Sequence, residues 1–279
     1  MESANLPSSH ARGGTLVALP EQCLSVVMAC YNEARTVKTV AERVLASPFT
    51  AQLIVVDDCS TDGTYEIARS LKDPRVRVFR QPVNRGKGAA LRRGFAEASA
   101  PFTIVQDADL EYDPADYQVM LEPLLDGRAD VVFGSRFDVQ RPHRVLYFWH
   151  SVGNRILTTV SNMLTNLNLT DMETCYKAFR TDALRQLDLR EDRFGIEPEL
   201  TAKVARAGLR IYEVGISYAG RTYAEGKKIH WRDGFRALYC IARYARPAVP
   251  GPSEPGPHLL PDASSTPDDV GRAGSGTGP

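Results

Sequence analysis

The chain has 279 residues, 43% hydrophobic and 24% charged, which is enough apolar content for one large domain or two small ones. Its 34 Lys and Arg balance 34 Asp and Glu, arguing against a whole-protein basic footprint and hence against nucleic acid as the partner. No window approaches about 20 uninterrupted apolar residues, so no membrane span is expected, and the polar N-terminus predicts no signal peptide.

Residues 1–21 and the Pro/Gly/Ser-rich stretch 247–279 lack any hydrophobic period and are expected to be disordered, leaving a domain over 22–246. Five cysteines, Cys23, Cys30, Cys59, Cys175 and Cys240, form no CxxC pair and fit reduced thiols of a cytosolic protein. Along the domain, the apolar run Leu24 to Cys30 predicts a strand, and Val37, Val40, Ala41, Val44 and Leu45 are spaced for a helix over Arg35 to Ala46. The run LIVVDD predicts a second strand, followed by a helix from about Ser60–Asp62 to Leu71. Val76 to Phe79 predicts a third strand, Gly88 to Ser99 a helix, and FTIVQDAD a fourth strand. Asp113-Pro114 supplies an N-cap and a first-turn proline for a helix to Leu125, and ADVVFGS is a fifth strand. Strands this continuously apolar suit burial on both faces of a mostly parallel sheet. The fold class is therefore α/β, an open, doubly wound, Rossmann-like sheet with helices on both faces.

Ligands in such sheets bind beyond the carboxyl ends of the strands. The predicted strand ends carry Tyr31-Asn32-Glu33, Asp57-Asp58, Asp107-Ala108-Asp109-Leu110-Glu111 and Gly134-Ser135-Arg136. Asp62 and Asp113 read as helix caps; Asp57 and Asp58 fit caps and ligands equally well. Asp107 and Asp109 lie two residues apart at a strand end, where both side chains can reach one side, with Glu111 extending the row. Hard oxygen donors of this kind suit Mg²⁺ or Mn²⁺ on a diphosphate. The stretch Asn84-Arg85-Gly86-Lys87-Gly88 is neither a Walker A loop nor a dinucleotide fingerprint, since Gln81 and Leu91 stand where those motifs need glycine. Lys87 at a helix start still suits an anion nearby, with a solvated lysine as the alternative.

The segments SVVMACYNE, VVDDCSTDGT, NRGKGAALRRG, QDADLEYDP and VVFGSRF, in this order and spacing, resemble family 2 glycosyltransferases of the GT-A fold. The resemblance is nearest to the polyprenyl-phosphate branch, the dolichyl-phosphate mannosyltransferase and glucosyltransferase type, and extends from about Leu24 to Arg246. It implies a nucleotide-sugar half over 22–136 and an acceptor and membrane-interface half over 137–246. Tyr31, Glu33 and Asp57, with Asp58, would then serve the base and ribose of a nucleoside diphosphate sugar. Asp107, Asp109 and Glu111 would bind the metal, and Lys87 and Arg136 would lie near the phosphates or the acceptor. The segment Leu169 to Phe179 resembles the family's D-x-T-S-G-F-R box with Cys175, Tyr176 and Lys177 at its last three places, and Cys59 replaces the glycine of a DDGS turn. These departures leave the metal residues untouched and bear on the acceptor and sugar pocket.

A helix predicted from His143 to Leu167 carries Tyr147, Phe148 and Trp149 beside Arg141, Arg144 and Arg155. This pattern fits a core helix or one lying on anionic lipid, and the resemblance implies the second. The stretch Arg221 to Arg232, with Lys227 and Lys228, resembles the phosphate-binding loop and amphipathic helix of the same enzymes; a solvated charged face is its alternative. Arg144, Ser151, Lys227 and Lys228 are the candidates for the acceptor phosphate, and Asp109, Arg136 and Arg221 for catalysis. The expected reaction moves a hexose from GDP-mannose or UDP-glucose to polyprenyl phosphate with inversion. The enzyme would be peripheral to the cytoplasmic face of the membrane. A lipid phosphate needs no general base, whereas a hydroxyl acceptor would, and Glu197 or Glu199 could supply one. A soluble acceptor and a silent nucleotide-sugar binding module are the rival readings.

Overall fold

The computed structural model describes residues 20–137, 144–145, 147–221 and 231–245. In chain order these form β1 (Leu24–Cys30), α1 (Val37–Ala46), β2 (Thr50–Asp57), α2 (Thr64–Arg69), β3 (Val76–Arg80), α3 (Lys87–Glu97) and β4 (Phe102–Asp107). A 3₁₀ turn at Pro114–Asp116 leads into α4 (Tyr117–Leu125), then β5 (Val131–Ser135), α5 (Phe148–Thr165), β6 (Lys177–Arg180), α6 (Thr181–Arg185), α7 (Ile196–Arg206), β7 (Ile211–Gly215) and α8 (Trp231–Tyr244). The expected cap holds at the 3₁₀ turn, where the Asp113 carboxylate accepts the Ala115 N–H, and Asp62 accepts the N–H groups of Thr64 and Ala34.

The strands make one sheet in the order β3-β2-β1-β4-β6-β5-β7. Only β6 runs antiparallel, between β4 and β5. The α/β, mostly parallel sheet expected from the apolar runs is therefore present, with one strand that those runs do not announce. β6 has four residues, and its first is Lys177, so it lacks the apolar run that marks its neighbours.

Alternate side chains of each strand enter opposite cores, as the pleat requires. On one face Val26 and Met28 pack with Val40 and Val44 of α1 and with Tyr117, Met120 and Leu121 of α4. On the other, Val27, Ile54 and Val56 meet Leu91 and Phe95 of α3 and Ile196 and Leu200 of α7. β3 is an edge strand and is only half-buried. The order reverses around β1, which lies between β2 and β4. That reversal opens a crevice at the carboxyl ends of β1 and β4.

Candidate active site

Asp107 ends β4 directly across from Ala29 of β1, so the first carboxylate of the D-x-D lies at the crevice. Its Oδ1 receives the Lys87 ammonium from the start of α3 at 2.6 Å. Burial alone would raise the Asp107 pKa, but Lys87 outweighs it and holds the carboxyl below the usual range. Beyond β4 the chain turns through Leu110 at a φ of 64°, a left-handed conformation that costs a leucine energy and keeps the acidic turn tight. Within that turn the Asp109 Oδ1 accepts the Glu111 N–H at 3.1 Å.

Arg221 reaches the same edge from more than a hundred residues away. Its guanidinium donates to Asp109 Oδ2 at 2.8 Å and approaches Glu33 at 3.2 Å and Glu111 at 3.3 Å. Asp109 is nevertheless pushed up to about 7, by burial first and then by the charges of Asp107 and Glu111, against the pull of Arg221. One guanidinium among three carboxylates leaves this edge short of positive charge. That deficit suits a divalent cation at Asp107 and Asp109, since Mg²⁺ and Mn²⁺ bind through one or two carboxylates plus phosphate oxygens and water.

The expected trio of metal ligands does not form as such. Among the described residues no three His, Cys, Asp or Glu side chains are grouped to hold one ion. Glu111 is engaged otherwise: it accepts the Tyr218 hydroxyl at 2.7 Å and the Arg221 backbone N–H at 2.9 Å, so it fastens the segment carrying Arg221.

The neighbouring strand end separates two roles that the sequence leaves equal. Asp58 accepts the N–H groups of Arg85 and Gly86 at 2.9 and 2.7 Å, and thereby ties down the glycine turn before α3. Asp57 is fully buried; its Oδ2 accepts the Ser60 N–H at 3.1 Å and faces Arg80 at 3.5 Å. Its Oδ1 is buried with no hydrogen-bond partner among the described residues. Tyr31 is partly exposed at the end of β1, next to that strand end. The glycines of the Asn84–Gly88 turn answer to packing. A Cβ on Gly86 would lie 2.6 Å from the Asp192 carbonyl oxygen, and one on Gly88 would collide with that of Glu191.

The remaining described candidates are held by partners of their own. Arg136 is buried and forms a two-pronged ion pair with the wholly buried Asp171, at 2.6 and 2.7 Å, while Asn154 donates to Asp171 at 3.1 Å. It is thus engaged inside the protein, whereas the sequence places it near the phosphates or the acceptor as a catalytic candidate. Arg144 donates to the Gly220 carbonyl at 2.9 Å, and its own N–H bonds the Tyr218 carbonyl, so it braces the strand of chain leading to Arg221. Ser151 lies in the first turns of α5, half-buried. Lys227, Lys228, Arg141 and the terminal stretches lie outside the described residues. Glu199 accepts the N–H groups of Arg190 and Glu191, orienting the loop that covers Gly86 and Gly88. Sequence reasoning passed over Tyr218 and Asn154, which stand in no motif, and gave Asp171 no role, although the D-x-T box flagged its position.

Comparison with known proteins places this arrangement. The profile described as Glycosyl transferase family 2 matches residues 25–188. The chain belongs to that family. It is 32% identical over 222 residues to glycosyltransferase AglJ of Haloferax volcanii, covering 78% of this chain and 71% of the relative. It is 31% identical over 212 residues to the undecaprenyl-phosphate mannosyltransferase of Micrococcus luteus, covering 72% and 85%. The resemblance to the polyprenyl-phosphate branch is borne out by such relatives, and the protein is a glycosyltransferase. Its fold matches that of Mycobacterium tuberculosis glucosyl-3-phosphoglycerate synthase, solved with Mn²⁺, UDP and glucosyl-3-phosphoglycerate, with a TM-score of 0.63 and 22% identity over 80% of each chain. The GT-A fold is therefore established for this glycosyltransferase, and its D-x-D follows the fourth strand beside the topological switch.

Two helices of the enzyme present apolar side chains to solvent. Trp149, Ile156 and Met163 recur every seven residues along α5 and are exposed, Trp149 to 79%. Phe235, Leu238 and Tyr239 are exposed on α8, which packs against α5. No described helix is long and apolar enough to cross a membrane.

Proposed function

We propose that this glycosyltransferase moves a hexose from a nucleoside diphosphate sugar to polyprenyl phosphate, with inversion, at the cytoplasmic face of a membrane. The carrying observation is the acidic edge at the β1–β4 crevice, bound by Lys87 and Arg221 yet still deficient in positive charge. Asp107 and Asp109 would hold a Mg²⁺ or Mn²⁺ ion, whose charge offsets that of the departing diphosphate. The Mycobacterium tuberculosis synthase of like fold was solved with either ion and UDP, which supports this reading.

The chain's own groups supply the rest. The unpartnered Asp57 Oδ1 would accept from a base or ribose donor, with Tyr31 and Glu33 just beyond the neighbouring end of β1. Lys87 and Arg221 set two cations beside the diphosphate, where negative charge grows as the sugar–phosphate bond breaks. A phosphate acceptor arrives already ionised, so attack on the anomeric carbon requires no side-chain base. It requires cations that bring two anions together, and Arg221 with Lys227 and Lys228 are assigned that task. Attack on the face opposite the leaving group inverts the anomeric centre. The exposed aromatic and aliphatic side chains of α5 and α8 favour a lipid surface as the place where the acceptor is met.

The test is transfer of labelled hexose from GDP-mannose or UDP-glucose in the presence of polyprenyl phosphate and Mn²⁺ or Mg²⁺. Label in the organic extract is expected, and it should vanish with Asp109→Ala. A soluble phosphorylated acceptor is the second reading, favoured by the likeness of fold to a synthase whose product is glucosyl-3-phosphoglycerate. Label confined to the aqueous phase with every donor would select it.

A further inference from the structure

Behind the acidic edge, charges alternate in a buried row. Lys177 is completely buried; its ammonium donates to the Met172 carbonyl at 3.1 Å, to the Thr174 carbonyl, and to Glu197 Oε2 at 2.5 Å. The other oxygen of Glu197, Oε1, is buried without a hydrogen-bond partner among the described residues. It lies 3.8 Å from the Lys87 ammonium, too far for a hydrogen bond, while that ammonium sits 2.6 Å from Asp107 Oδ1. Lys87 therefore stands between two carboxylates, bonded to one and within a small torsional adjustment of the other. Glu197 lies in the first turn of α7, among the N-terminal backbone N–H groups of that helix.

An orphaned buried carboxylate oxygen is costly, and a native protein that retains one invites explanation. A dication would also compete with the Lys87 ammonium for the Asp107 carboxylate. We infer that Glu197 is a positioning residue for Lys87: it receives the ammonium when Asp107 takes up the donor's divalent cation. Lys87 then stays paired, and stays beside the diphosphate, while Asp107 is released for the ion. Without that second seat, the Lys87 ammonium either stays on Asp107 in competition with the cation or relies on the diphosphate alone, and cation affinity falls. This inference rests on the metal-dependent donor site proposed above, and adds to it a residue outside the expected ligand set.

The experiment measures Mn²⁺ binding to the full chain by electron paramagnetic resonance, with GDP and with UDP. Partners that act through a metal ligand typically change affinity about 10- to 100-fold, so Glu197→Gln is expected to weaken Mn²⁺ by at least about tenfold. In a Lys87→Met background the same substitution is expected to change nothing further, because no ammonium remains to be seated. Glu197→Gln also deprives Lys177 of its carboxylate, so the comparison is repeated with Lys177→Met, which removes that stranded charge. The loss of Mn²⁺ affinity is expected to persist there. Unchanged affinity in Glu197→Gln, an equal loss with and without Lys87, or recovery of affinity on adding Lys177→Met would each overturn the role of Glu197. Failure of the wild-type chain to bind Mn²⁺ with either nucleotide would instead remove the donor-site reading, and this inference with it.

Discussion

The buried pair Arg136–Asp171 offers the sharpest separation between a structural and a substrate-binding arginine. Arg136 is 7% exposed and Asp171 not at all, and the guanidinium donates to both carboxylate oxygens. Removing one member of such a pair leaves a desolvated charge, at a cost of about 3–5 kcal/mol. Arg136→Met falls toward the lower end, because Asp171 retains Asn154 at 3.1 Å and the Arg136 backbone N–H at 3.1 Å. Asp171→Asn strands the guanidinium. The double variant Arg136→Met/Asp171→Asn leaves no unpaired charge at this pair, so it is expected to be more stable than the sum of the two losses by at least about 2 kcal/mol.

Urea unfolding of the four proteins near pH 7 supplies this cycle. Burial by itself would raise the Asp171 pKa, but Arg136 outweighs it and holds the carboxyl below its ordinary value. A lowered folded-state pKa means that the carboxylate's contribution is present at neutral pH and is lost as pH falls through that lowered value. The gap between wild type and Asp171→Asn is therefore expected to narrow in acid. Stabilities that change by under about 1 kcal/mol for Arg136→Met, together with weakened donor binding, would refute the structural assignment and return Arg136 to the phosphates.

Glu173 is expected to make the enzyme less stable as pH rises. Its carboxyl is pushed up to about 7 by burial first and then by Glu197, and its Oε1 has no partner among the described residues. The folded state keeps a proton that the unfolded chain releases from about pH 4.5 upward, so stability declines between there and about 7 and then levels. Glu173→Gln should match wild type near pH 4 and exceed it at pH 8 by up to about 3 kcal/mol, read from urea midpoints. Gly88→Ala places a methyl group against the Glu191 carbonyl and is expected to cost at least about 1–3 kcal/mol in thermal or urea unfolding, whereas Gly153→Ala meets open space and should be neutral or slightly stabilising. Trp149→Glu, on the exposed face of α5, should reduce sedimentation with anionic lipid vesicles severalfold while leaving the melting temperature unchanged; undiminished sedimentation would remove α5 from the proposed membrane surface.

The parts of the site that sequence exposes are those written in local pattern. Leu24 to Met28, Leu53 to Val56 and Ile104 to Val105 are buried runs, so their ends could be located, and with them Asp57, Asp107 and Asp109. β6 escaped because Lys177 opens it, and a lysine in a sheet interior becomes tolerable through the Met172 and Thr174 carbonyls and Glu197, twenty residues later. Gly86 and Gly88 resemble a phosphate turn by composition, yet the observed constraints are the backbone of Asp192 and Glu191 and, at Gly86, a φ of 103°.

Charge pairing is the deeper reason for the remainder. An isolated arginine at a strand end suits an anionic substrate, and only the fold reveals that Asp171, 35 residues on, already neutralises Arg136. Arg221 presents the opposite case, lying 112 residues from Asp109 and yet facing it. The ionic state of the edge is thus a property of four separate segments: the chain after β1, the end of β4 with the turn after it, the start of α3 and the chain beyond β7. Any ligand cation must compete there with Lys87 and Arg221. Donor loading should consequently rearrange these two side chains before it disturbs a strand, because each is held by carboxylates of the edge, whereas β4 is fixed by ladders on both sides.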